Sequence, residues 1–130
     1  MKKSKKIAIP KLYIHEEVFK VELYFFLGDT RKSITNWIKK EFDVKYSPEI
    51  HKYSGMYFWV VGEDEKIIRA IWLEKFKNTP KDISLLSHEV NHLVEDVFKD
   101  IGSKGDDEAK PFYTEYWMRK ILEGIQKDPI

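Results

Sequence analysis

A chain of 130 residues fits one domain, and 42% hydrophobic and 15% aromatic residues supply a packed interior rather than disorder. Lysine plus arginine (23) nearly cancels aspartate plus glutamate (22), and the net charge of +1 gives no reason to expect nucleic acid or an anionic membrane as partner. Cysteine is absent, which excludes disulfides and thiolate-ligated metals, so any metal must be held by His, Asp, Glu and water.

Residues 1–130 read as a single domain, with 1–10 a flexible basic N-terminus. Met1-Lys2-Lys3-Ser4-Lys5-Lys6 starts as a signal peptide would. Pro10, Lys11, His15, Glu16 and Glu17 then break the apolar stretch that must follow, so no secretory signal is expected. No run approaches the roughly 18–20 apolar residues of a membrane span. A cysteine-free chain suits a reducing compartment, and a cytoplasmic location is expected.

Val18 to Leu27 is β-branched and aromatic, is closed by Gly28-Asp29, and reads as a strand. Thr30 to Phe42 spaces Ile34, Trp37, Ile38 and Phe42 as one face of a helix, with Asp29 or Thr30 as its N-cap. Residues 43–54 read as a loop. Met56 to Val61 and Lys66 to Phe76 are apolar strands joined by a turn at Gly62-Glu63-Asp64-Glu65, a β-hairpin.

Thr79-Pro80-Lys81-Asp82 is a helix start: Thr79 caps, Pro80 suits the first helical position, and Asp82 meets the positive helix end. The helix is predicted to run to Ile101 and stop at Gly102. Ile83, Leu86, Val90, Leu93, Val94, Val97 and Ile101 form its apolar stripe. After a polar loop, a last helix runs from about Asp107 to Ile125, with Pro111 tolerated near its start. This order, N-terminal strands and one helix, a β-hairpin, then two helices, is that of an α+β domain.

His88-Glu89-Val90-Asn91-His92 lies in the first of those two helices, opposite the apolar stripe. Histidines four residues apart project from one helical face and can share a zinc ion. Glu89 is turned about 100° from His88, so it flanks the metal as a base rather than a ligand. A catalytic zinc keeps one of four positions for water, so a third protein ligand is required. Glu108 and Glu115 of the last helix are seven residues apart. Glu108 is favoured because it lies where the chain returns, whereas Glu115 has Arg119 as an i+4 partner. His15 and His51 are outside candidates.

With these residues the chain resembles the gluzincins, and in particular small phage-type minimal gluzincins with a zincin-like fold. The matching segments are Leu85-Leu86-Ser87-His88-Glu89-Val90-Asn91-His92 and Asp107-Glu108-Ala109-Lys110-Pro111-Phe112-Tyr113-Thr114-Glu115-Tyr116-Trp117, and the order of elements agrees over most of residues 18–125. Pro111 stands where such proteins carry a further carboxylate, and Asp96, one turn after His92, is the substitute for orienting a histidine. The resemblance implies a zinc-dependent metallohydrolase acting as a peptidase. His88, His92 and Glu108 would be its ligands and Glu89 its general base. Tyr113 or Tyr116 would be the oxyanion donor, although aromatics at helical spacing also serve a core. It implies a peptide or protein substrate, and the host cytoplasm as location if the chain is phage-encoded. The strand Lys66 to Phe76 is a candidate edge for pairing an extended substrate, although its apolar run Ile67, Ile68, Ala70 to Leu73 is equally well explained by burial. The competing expectation is a non-catalytic or latent zinc-binding module that acts through a protein partner.

Overall fold

The computed structural model describes residues 10–43, 54–62, 64–102 and 109–127. Seven elements follow in chain order: β1 (Leu12–Glu16), β2 (Val21–Leu27), α1 (Arg31–Phe42), β3 (Gly55–Val61), β4 (Ile67–Leu73), α2 (Pro80–Asp100) and α3 (Ala109–Lys127). The domain is α+β, a four-stranded mixed sheet with three helices. No described helix is long and apolar enough to cross a membrane.

The strand predicted from Val18 begins only at Val21. Residues 17–20 are a turn in which Lys20 adopts φ 57° and the Glu16 carboxylate accepts the Phe19 N–H at 3.0 Å. That turn folds β2 back on β1, a short strand the apolar pattern does not announce. Thr30 caps α1, its side chain accepting the Ser33 N–H at 3.1 Å. At the β3–β4 turn, Gly62 donates to the Lys66 carbonyl at 2.9 Å and Glu65 takes φ 64°.

The sheet runs β1-β2-β4-β3, with β2 and β4 parallel and the other pairs antiparallel. Because side chains alternate along a strand, each inner strand feeds two cores. Val21, Leu23, Phe25, Ile71 and Leu73 face α2 and α3, meeting Leu86, Val90, Leu93, Val97, Trp117 and Ile121. Phe26, Phe58, Val60, Ala70 and Trp72 face α1 through Ile34 and Ile38.

This topology corrects one expectation. The strand proposed as the substrate edge, β4, is interior and paired on both sides. Its apolar residues are explained by burial between two cores. The edge strands are β1 and β3.

Candidate metal centre

Local sequence fixes α2 at its start. Thr79 accepts the Asp82 N–H at 3.2 Å, Pro80 opens the helix, and the Asp82 carboxylate accepts the Lys77 N–H. Burial fixes its rotation. Leu86, Val90, Leu93, Val94 and Val97 are buried against the sheet, joined by Phe98, whereas the predicted stripe ends Ile83 and Ile101 stay partly exposed at 36% and 41%. His88 and His92 are thereby turned to solvent.

The two imidazoles converge. Their Nε2 atoms lie 3.2 Å apart, with ring planes at 90°. Two zinc–nitrogen bonds of about 2.0–2.1 Å meeting at the tetrahedral angle span about 3.3–3.4 Å between nitrogens. The pair is therefore spaced as a bidentate chelate, and its two nitrogens share a hydrogen bond when one ring carries the proton. Among the described residues, no group of three His, Asp or Glu side chains is gathered as a metal site. The residues present fit two of the three protein positions that a catalytic zinc requires.

Glu89, the neighbour of His88 in sequence but about 100° further round the helix, is only 6% exposed. Its Oε1 accepts the backbone N–H of Tyr57 at 2.8 Å. That donor is free because of strand register. Glu74 donates to the Ser54 carbonyl and Gly62 to the Lys66 carbonyl, so the even-numbered residues of β3 bond to β4 and Tyr57 directs its N–H outward. One oxygen of Glu89 is thus anchored to an edge strand, and no described residue donates to the other. The Tyr57 hydroxyl makes a second tie, donating to Asp96 two helical turns further along α2. Burial and the Asp96 carboxylate together drive the Tyr57 hydroxyl well above its ordinary pKa.

Asp96 also accepts from Arg69 Nε at 3.2 Å, and Arg69 reaches Asp100 at 3.4 Å. Asp96 is therefore committed to β3 and β4, and no bond from it to either histidine is seen among the described residues. Tyr57 and Arg69 are the residues that sequence reasoning missed. A polar residue facing the core side of an otherwise apolar strand, as Arg69 does in IIRAIWL, is the signal that marks one of them.

The remaining candidates divide. Glu108 and His51 lie outside the described residues. Ala109, which follows Glu108, begins α3, and Lys110 reaches Glu95 of α2 at 3.3 Å, one turn beyond His92. The start of α3 is therefore beside the motif helix. Glu115 is exposed, and no ion pair with Arg119 forms. It stands two residues from both Tyr113 and Trp117, which are buried, so it lies on the outer side of α3. His15 is on the far edge of the sheet, near Glu17 (3.4 Å) and Glu22 (3.9 Å).

Tyr113 is 8% exposed and donates its hydroxyl to Glu16 at the end of β1. Burial and the Glu16 bond push its pKa far upward. Tyr116 stacks on it with ring centroids 6.3 Å apart. The Tyr113 proton is committed to β1, and both rings line the cleft beside the β1–β2 turn. Comparison of the chain with protein-family models, with curated proteins and with solved structures finds no match.

Proposed function

We propose that this chain is a zinc-dependent metallohydrolase, a peptidase of zincin-like, gluzincin kind. The observation that carries the reading is the convergence of His88 and His92 at 3.2 Å beside a buried, oriented glutamate. A purely structural site has no use for such a base. His88, His92 and Glu108 would hold the metal, Glu108 coming from the segment that enters α3 beside α2. Zinc bound there supplies a Lewis acid that lowers the pKa of water and polarises a carbonyl.

Glu89 takes the proton of the attacking water on its unanchored oxygen and returns it to the leaving amine. The Tyr57 N–H holds the other oxygen in place. An extended peptide would pair with the outward backbone of β3, whose Tyr57 and Trp59 carbonyls and Trp59 N–H point away from β4. That strand replaces β4 in the expected role, and it lies next to Glu89.

Elemental analysis of the purified protein tests the metal, and a broad peptide library tests the chemistry. About one zinc per chain is expected, lost in His88→Ala and in His92→Ala. Glu89→Gln should keep the metal and cleave about a hundredfold more slowly, the scale of a lost general base. Protein that stays metal-free after zinc dialysis overturns the reading. Zinc binding without any cleavage favours the latent module with a protein partner, and metal loss in Glu89→Gln makes Glu89 structural.

A further inference from the structure

Glu16 ends β1 with its carboxylate turned inward, 3% exposed. It accepts the Phe19 N–H at 3.0 Å and the Tyr113 hydroxyl. Both donors are neutral groups. No lysine, arginine or histidine among the described residues forms an ion pair with it. A buried carboxylate without a counter-ion is costly, and such charges are normally paired.

The carboxylate borders a cavity of about 380 Å³ whose walls include Phe19, Phe98, Phe112, Tyr113 and Tyr116. The rings brace one another: Phe19 meets Tyr113 at 5.2 Å and Phe98 at 5.6 Å between centroids. Phe112 remains 65% exposed at this cavity, and Val18, also lining it, 79%. The volume falls at the small end of the ~300–1,000 Å³ of ligand pockets. Aromatic faces attract ammonium groups through the ring quadrupole. His15 also lines the cavity, and Lys110 and Lys120 stand 5.9 and 5.8 Å from the Phe98 and Tyr116 rings, but an anion would meet the carboxylates of Glu16 and Glu17, and a neutral apolar molecule would bring no partner to Glu16.

We propose that this cavity binds a primary ammonium group carried on an apolar stem, with Glu16 as counter-ion and the aromatic walls enclosing the stem. The site is separate from the histidine pair. Of its walls only Phe98 belongs to α2, on the buried side of that helix. The required chemistry occurs both in free amines and in the lysine side chains of peptides.

Ligand-observed NMR and isothermal titration of the metal-free protein test this with three probes: 2-phenylethylammonium, N-acetyl-lysine methylamide and the neutral 2-phenylethanol. The ammonium probe should bind at least about tenfold more tightly than its neutral counterpart. Glu16→Gln keeps an acceptor for Tyr113 and Phe19 and should erase that preference. Phe112→Ala, at an exposed position, should weaken the charged and the neutral phenyl probes alike while leaving the melting temperature unchanged. It still reports if Glu16→Gln does not fold. Tighter binding of 2-phenylethylammonium than of the lysine derivative points to a free amine, and the reverse order to a peptide side chain. Equal affinity for charged and neutral probes, a preference that survives Glu16→Gln, or no binding of any probe overturns the proposal.

Discussion

Replacing Glu89 by alanine or by glutamine separates its structural work from its chemical work. Alanine leaves the Tyr57 N–H without its acceptor at 2.8 Å. An unsatisfied, partly buried donor costs about 1–3 kcal/mol. Unfolding entropy near 2.1 cal/mol/K per residue gives about 0.27 kcal/mol/K for a chain of 130 residues. Each kcal/mol then moves the melting temperature by about 4 °C, and Glu89→Ala should melt about 4–11 °C below wild type. Glutamine keeps a carbonyl for Tyr57. It loses charge assistance worth about 1 kcal/mol but relieves a buried charge, so its melting temperature should stay within about 4 °C of wild type. Both variants should lose hydrolysis. Circular-dichroism melts in chelator at pH 7 exclude any contribution from bound metal. An alanine variant that melts with wild type would show that Glu89 is not seated on β3, and the argument for an oriented base would fall.

Glu108→Ala should weaken zinc binding more than Glu115→Ala, read by titration against a chelator, because Glu115 lies on the outer side of α3; the opposite ranking would move the third ligand. Alkali should destabilise the fold from about pH 10, the ordinary tyrosine value. The Glu22 bond, helped by burial, pushes Tyr13 up to about 12. A raised folded pKa contributes stability that is complete below the unfolded value and lost as pH rises through the folded one, so the Tyr13 window is pH 10 to about 12. Denaturant titrations between pH 8 and 12 should show this fall, reduced in Tyr13→Phe. Gly124→Ala should lower the melting temperature by a few degrees. Its Cβ would sit 2.5 Å from Leu12, an overpacking cost of about 1–3 kcal/mol against a helix-propensity gain of about 1.

Features written in neighbouring residues were legible. Thr79-Pro80 marks the start of α2, and Gly102, at φ 71°, marks its end. The i, i+4 histidines and their solvent-facing side follow from the same helix. Contacts between distant segments were not legible. Glu89 meets a donor 32 positions earlier, and that donor is free only because of the β3–β4 register. The run IIRAIWL reads equally well as an edge or an interior strand until its two neighbours are known. Tyr113 satisfies the requirements of an oxyanion donor by residue type, yet a carboxylate 97 positions away accepts its hydrogen bond. β1 escaped notice because its five residues mix exposed His15 with buried Glu16, which hides the alternation of a half-buried strand.

The parallel pairing of β2 with β4 has a consequence for synthesis. Leu23 pairs opposite Arg69, a partner made ~46 positions later in the chain. At about 5–20 residues per second, the apolar VELYFFL segment waits a few seconds for its second neighbour. The β3–β4 hairpin and the α2–α3 pair need only local encounters, which take microseconds once their residues exist. Closing β2 onto β4 is thus the late, entropically expensive step, and until then both inner strands expose unpaired edges. β1, adjacent in sequence, can occupy one side of β2 from the start and leaves a single edge for other nascent chains to find.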